Sequence, residues 1–398
     1  MKRVIISSVI ILLLILVGTA IGIFWAKGYR FDPKNPKGIL QGTGLMVLTS
    51  RPDGARVYVN DHLTTATNNT INLQPGTYAV RIEKDGYFPW KKTIEVKQEV
   101  VSQANATLFP IAPRLESITN TGAENPTLDA TGSLLAYTVS SASAEKNGIY
   151  TLNMTTPSIL TLGGGATQIA NDLLASFSRA QLMFSPDGTQ ILASVSAALN
   201  QPASYLFFDR SFNSSPQDVT ATLSQVLSDW DTQTVLRDKK LMDSLPRKIR
   251  VFASPLFENP VLSPDENKIL YTASESAQIP VVITPRLPGT NSTPETRNLK
   301  KGDTYVYDMK EDRNYLVYEQ DAKKKVKFAW HPDSSHLVFA KNDNIDVVEY
   351  DGTNLTTVYA GPFVDSFVFP WPDGSSLIIL TNLNIPNAPN NLYRISLR

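Results

Sequence analysis

The feature that most constrains this chain is a repeat. Between residues 114 and 398 an apolar strand, a Pro-Asp turn and a second apolar strand recur. The copies are Phe184-Ser185-Pro186-Asp187-Gly188 before Ile191-Leu192-Ala193, and Leu262-Ser263-Pro264-Asp265 before Ile269-Leu270-Tyr271. Next come Trp330-His331-Pro332-Asp333 before Leu337-Val338-Phe339, and Trp371-Pro372-Asp373-Gly374 before Leu377-Ile378-Ile379. A degenerate first copy runs from Asn125-Pro126 through Asp129 to Leu134-Leu135-Ala136-Tyr137. Proline presets φ for the turn, aspartate accepts the turn's backbone N–H groups, and glycine takes positive φ. Pro186, Asp187, Pro264, Asp265, Pro332, Asp333, Pro372 and Asp373 are therefore read as structural turn residues, not catalytic ones.

Each second strand precedes a third, such as Ile149-Tyr150-Thr151-Leu152 or Tyr305-Val306-Tyr307-Asp308, and four copies have a fourth. The last copy runs out of chain at Arg398, and Arg114 to Ile118 can supply its missing strand. Five four-stranded units closing in a ring make a β-propeller, which leaves no long unpaired sheet edge. Six or seven blades are the alternatives. Two stretches interrupt the repeat. Residues 219–250 have helical spacing (Leu223, Val226, Leu227, Trp230), then a basic run, Arg247-Lys248-Ile249-Arg250; they predict a helical hairpin capping one face. Residues 275–302 carry Pro280, Pro285, Pro288 and Pro294 and predict a long loop.

At the other end, Val4 to Ala26 holds no charge. As a helix it measures about 35 Å, enough to cross a hydrocarbon core of about 30 Å. The whole of 1–26 is read as an N-terminal transmembrane anchor, with a single-pass cell-membrane location and an extracytoplasmic C-terminal body. Gly18-Thr19-Ala20 offers a signal-peptide cleavage site instead, but Ile21 to Trp25 continue the apolar run past it. Lys2 and Arg3 precede the helix while Lys27, Arg30, Lys34 and Lys37 follow it, so charge alone does not orient it. Residues 27–42 contain Pro33 and Pro36 and read as an extended linker.

Residues 43–110 alternate apolar and polar positions between turns and predict an antiparallel β-sandwich of about six strands. Val57 and Val59 share one face, as do Tyr78, Val80 and Ile82. Three motifs here resemble the PEGA domain: Pro52-Asp53-Gly54-Ala55, Leu73-Gln74-Pro75-Gly76-Thr77-Tyr78-Ala79-Val80, and Gly86-Tyr87. Aspartate replaces the glutamate of the name motif. The resemblance implies an extracytoplasmic accessory module with no catalytic residues. The Pro-Asp-Gly repeat resembles that of TolB-like propellers, which implies a propeller with a binding face and no particular reaction. Thr293 to Leu299, leading into Tyr305-Val306-Tyr307-Asp308, resembles membrane-anchored PEGA–propeller proteins of ultrasmall, candidate-phylum bacteria. The fold class is thus all-β, with a helical anchor, a PEGA-like sandwich and a propeller at 114–398.

Little chemistry announces itself. There is no cysteine, which excludes disulfides, thiolate nucleophiles and cysteine-bound metal. Lys+Arg and Asp+Glu balance at 37 each, so no net field draws the chain to nucleic acid. No Walker A, G-x-G-x-x-G or G-x-S-x-G motif occurs. Of three histidines, His62 lies on a turn, and His331 and His336 flank a blade turn at a spacing of no known zinc motif; all three read as surface residues. Neither a metal nor any other cofactor is expected. Trp90 and Trp230 find no core in the pattern. The leading expectation is a non-enzymatic envelope protein whose propeller face binds a protein or a cell-wall glycan. The alternative is a surface hydrolase with carboxylates in the propeller funnel.

Overall fold

A computed structural model describes residues 2–26, 30–31, 40–155, 165–196, 202–208, 211–320, 326–364 and 367–398. Most of the stretch read as a linker at 27–42 lies outside these residues. Helix α1 spans Lys2–Ala26. Its Ile6–Trp25 stretch is long and apolar enough to cross a membrane, and its side chains are exposed on every side. Among the described residues beyond α1, strand is the commonest regular structure. The chain divides into two compact units: Met1–Phe109 with Ile283–Glu295, and Pro110–Val282 with Thr296–Arg398.

The β-structure of the first unit is a two-layer sandwich. One layer orders the strands Asn69–Leu73, Gly44–Arg51 and Val101–Thr107; the other orders His62–Ala66, Arg56–Val59, Gly76–Glu83 and Trp90–Val96. The layers close over Met46, Leu48, Val57, Val80, Ile82, Trp90 and Ile94, all buried. Two expectations need correcting. Gly44–Arg51 and Val101–Thr107 pair in parallel, so the sandwich is not purely antiparallel. Parallel strands need a crossover, and here the whole second layer intervenes between them in sequence. His62–Ala66 and Asn69–Leu73 are also strands: the first is largely exposed, and the second turns only Ile71 and Leu73 to the core, too short an alternation to stand out. Residues 283–295, inserted late in the chain, group with this unit, and the Glu95 amide donates to Ser292 Oγ at 2.9 Å.

Among the described residues the second unit holds five four-stranded antiparallel sheets. The first comprises Glu124–Leu128, Leu134–Val139, Gly148–Asn153 and Ala166–Asn171; the second Gln181–Phe184, Gln190–Ser196, Pro202–Phe208 and Gln217–Asp218. The third comprises Phe257–Leu262, Lys268–Ala273, Thr304–Asp308 and Arg313–Tyr318; the fourth Phe328–Trp330, His336–Lys341, Asn344–Glu349 and Thr356–Ala360. The fifth joins Val368–Pro370, Ser376–Thr381 and Asn391–Ser396 to Leu115–Ser117 from the start of the unit. Leu115 faces Ile395 and Ser117 faces Tyr393, so the two ends of the unit share one sheet, as the missing fourth strand of the last repeat requires.

Neighbouring sheets are stitched together. Ala136 and Ile149 of the first share a core with Ile191 and Ala193 of the second. Trp330 Nε1 of the fourth donates to the Val261 carbonyl of the third at 3.2 Å. Leu135 and Tyr137 of the first pack with Ile378 and Leu380 of the fifth. Between the second and third sheets lie helices α2, Leu223–Ser244, and α3, Arg247–Leu256. Trp230 of α2 is buried against Leu192 and Val219. Ile249, Phe252, Ala253 and Leu256 of α3 recur at helical spacing and pack on Ile269, Tyr271 and Tyr307 of the third sheet. The basic run 247–250 is therefore the opening of a helix that carries on six residues past the predicted insertion.

Candidate functional site

Alternation of direction in a four-stranded sheet sorts its connections. Turns from first to second strand, and from third to fourth, lie at one end. Connections from second to third, and from each sheet to the next, lie at the other. The Pro-Asp turns therefore share an end, opposite the loops that join successive sheets.

A cleft lies between the first and fifth sheets, opening at the loop end and running along the strand Glu124–Leu128 toward the turn residue Asp129. One part, of about 780 Å³, is lined by Glu124 to Asp129, Val364, Phe367, Phe369, Leu380 and Asn390. A second part, of about 540 Å³, is lined by Asp343, Gly361 to Val364, Thr381, Asn382, Asn384 and Asn390. The two share Val364 and Asn390. Backbone bonds hold the walls: Val364 N to the Leu380 carbonyl at 2.8 Å and Ala123 N to the Asn390 carbonyl at 2.7 Å. Thr381 Oγ1 donates to the Pro362 carbonyl at 2.7 Å. The Asn384 and Asn390 amides and the Asp343 carboxylate make no side-chain hydrogen bond among the described residues. Asn125, Asp343, Leu383 and Asn384 all hold positive φ here. Asparagine tolerates that region, but Leu383 at φ 54° is held in a conformation disfavoured for a bulky side chain. No lysine or arginine lines either part of the cleft among the described residues.

At the opposite end stand the residues read as turn formers. The Asp187, Asp265, Asp333 and Asp373 carboxylates each accept the backbone N–H two residues on, at 3.1, 3.2, 2.9 and 2.7 Å. Asp129 does the same in the degenerate copy, accepting the Thr131 amide at 3.2 Å. Pro186, Pro264, Pro332 and Pro372 precede them in the turns. Gly188 and Gly374 adopt positive φ, and in the copies without glycine Glu266 and Ser334 take that conformation. Of the PEGA-like residues, Pro52, Asp53 and Gly54 lie on a turn, Gly54 at φ 67°, and Ala55 is fully buried with its N–H on Thr67 Oγ1 at 2.9 Å. Pro75 and Gly76 are exposed, Gly86 has φ 84°, and Tyr87 packs against the sandwich core.

The carboxylate of Asp265 illustrates what these turns do electrostatically. Burial pushes its pKa up, but hydrogen bonds from Asn267 and Ser263 and the nearby Lys268 ammonium outweigh that and hold it at about 2. A depressed folded-state pKa contributes stability that is whole above the ordinary value of 3.8 and is lost as pH falls through about 2. The D265N variant should therefore show a shallower loss of stability than the parent over that acid window, read as urea midpoints at successive pH values. Parallel curves for the two proteins would rule this out.

The histidines depart from expectation. His331 and His336 are buried, at 4% and 3% exposure, not on the surface. Each presents Nδ1 to the Asp333 carboxylate, His331 at 3.1 Å and His336 at 2.7 Å. Burial alone would raise the Asp333 pKa; the bonds from both imidazoles overcome that and hold it well below the usual carboxylate range. The H-P-D-S-S-H spacing was visible in the sequence, but it matches no helical zinc motif, and only the turn folds both rings onto one carboxylate.

Sandwich, propeller and cleft define the chain as a multidomain all-β protein with a ligand-sized opening among its blade loops. Residues 43–111 match the PEGA domain family, so the sandwich is a PEGA domain. Among solved structures the chain is similar to a TolB of Agrobacterium tumefaciens, 14% identical over 69% of this chain and 81% of that one, with a TM-score of 0.23. It is also similar to TolB of Acinetobacter baumannii, 12% identical over 80% of this chain, with the same score. This chain spans 60% of the length of that second protein. No curated protein matches it. At such scores the propeller rests on its own strand pairing.

Proposed function

We propose that this is a membrane-anchored, extracytoplasmic binding protein of the cell envelope, not an enzyme, and that the loop-end cleft of its propeller holds a neutral glycan. Helix α1 supplies the anchor, and the PEGA domain fits an accessory role outside the cytoplasm. The observation that carries the ligand class is the lining of the cleft. Amides donate and accept, and carboxylates accept, which matches hydroxyl groups that do both. Asn125, Asn382, Asn384 and Asn390 provide amides, and Glu124 and Asp343 provide carboxylates. Phe363 and Phe369 are half-buried and offer ring surface to the C–H faces of a sugar. The absence of lysine and arginine from the described lining disfavours a phosphate-bearing polymer.

The test is a pull-down by the full-length chain in detergent from cell-wall polysaccharide fractions, neutral and phosphorylated, and from envelope proteins. Retention of a neutral polysaccharide is the expected result. The N384A/N390A variant should bind it about ten-fold or more weakly, because two hydrogen bonds at roughly 1 kcal/mol each are lost. Undiminished binding by that variant, or a preference for phosphorylated polymer or protein, would move the ligand or its class elsewhere.

A further inference from the structure

We propose that His331, Asp333 and His336 form a binding site for a borderline transition-metal ion such as zinc, at the turn end of the propeller. This site is independent of the glycan cleft. Three observations support it. First, the His331 and His336 Nδ1 atoms and the Asp333 carboxylate offer three ligand atoms within 4.8 Å of one another. Ligand atoms around a tetrahedral zinc lie about 3.3 Å apart. His331 Nδ1 lies 3.1 Å from Asp333 Oδ1 and His336 Nδ1 lies 2.7 Å from Asp333 Oδ2, so both rings face one carboxylate.

Second, the His331 ring is held as ligating histidines are held. Its Nε2 lies 3.0 Å from the Gly374 carbonyl, an acceptor, so Nε2 carries the proton. With Nε2 so engaged, Nδ1 is the ring atom that faces the Asp333 carboxylate, 3.1 Å away, where an ion held by both would sit. Donation of the far ring N–H to a backbone carbonyl is the usual second contact of a metal-bound histidine. Gly374 is what permits the close approach. A Cβ on it would stand 2.8 Å from His331 Cε1.

Third, the pair is peculiar to this copy of the repeat. The positions two before and three after the turn aspartate hold Ser185 and Gln190, Ser263 and Lys268, and Trp371 and Ser376 in the other sharp copies. Ser185 and Ser263 already satisfy the turn, each donating to its aspartate at 2.5 Å. A turn of this kind does not need two buried imidazoles. Two nitrogens and one oxygen suit zinc, cobalt or nickel more than calcium or magnesium, which prefer all-oxygen shells. The Asp333 side chain is 24% exposed, which gives an ion a route in.

The experiment loads the full-length chain in detergent with Zn²⁺, removes unbound ion by dialysis and measures metal by mass spectrometry, beside the H331Q/H336Q variant. A Co²⁺-loaded sample of the parent is read by visible absorption, and thermal unfolding is followed with Zn²⁺ and with Mg²⁺. Stoichiometric zinc in the parent and not in the variant, with intense tetrahedral cobalt bands and a melting shift for zinc alone, is the expected result. Zinc absent from the parent, zinc equally retained by the variant, or cobalt bands of a hexa-aqua type would overturn the proposal. If the variant does not fold, the parent's zinc content and cobalt spectrum decide the matter alone.

Discussion

The R297A variant should lose about 3–5 kcal/mol of stability, the magnitude for removing one partner of a buried ion pair. Arg297 Nη2 lies 3.0 Å from Asp312 Oδ1, and the two side chains are 11% and 1% exposed. The same carboxylate accepts the Tyr307 hydroxyl at 2.7 Å on one oxygen and the Val282 amide at 2.7 Å on the other. Arg297 also donates to the Pro280 and Asp312 carbonyls. Alanine strips these donors and leaves a carboxylate with almost no access to water. Domains are stable by only about 5–15 kcal/mol, so this single change threatens the unit. R297K keeps the charge but not the planar fork and should fall between. R297A/D312A should be less damaging than the sum of its parts, because the stranded charge goes with it. Urea unfolding in detergent, followed by far-UV circular dichroism, reads all three. An R297A unfolding free energy within about 1 kcal/mol of the parent's would mean that solvent already reaches the pair.

W90A should cost about 3–5 kcal/mol in the PEGA domain, the range for emptying a packed aromatic site. Trp90 is 3% exposed, sits opposite Ile82 across the pair of strands, and packs into the core that includes Met46, Leu48 and Val57. Most of the sandwich's interior is small or branched aliphatic, so no neighbour is large enough to fill the void. W90F, which leaves a smaller cavity, should recover more than half of the loss. The readout is urea unfolding followed by far-UV circular dichroism, together with limited proteolysis within 43–110. Unchanged protease resistance in W90A would show that the core does not depend on this ring.

How far the sequence reached can be judged from these residues. Proline, aspartate and glycine act through their own backbone and the next two residues, so the blade turns at 186–188, 264–265, 332–333 and 372–374 could be read locally. The fourth strand missing from the last repeat pointed to one borrowed from 114–118, because an open sheet edge is costly whatever surrounds it. The cleft was not legible. It is assembled from Glu124, Asp343, Val364 and Asn390, which no spacing rule connects. Trp90 and Trp230 illustrate the same limit. Each is buried by partners from other elements, Trp230 by Leu192 and Val219, ahead of its helix in the chain.

By itself, then, the sequence determined what depends on periodicity and local dihedral preference: an uncharged helix at one end, a small β-unit bearing PEGA motifs, and a repeat that must close on itself. Tertiary structure alone decided what depends on distance through space. It paired Gly44–Arg51 with Val101–Thr107 in parallel, grouped 283–295 with the PEGA domain, buried Arg297 on Asp312, and turned two imidazoles onto Asp333. The physical reason is that hydrogen bonds and ion pairs act over a few ångströms in space, and separation along the chain says little about which groups will be that close.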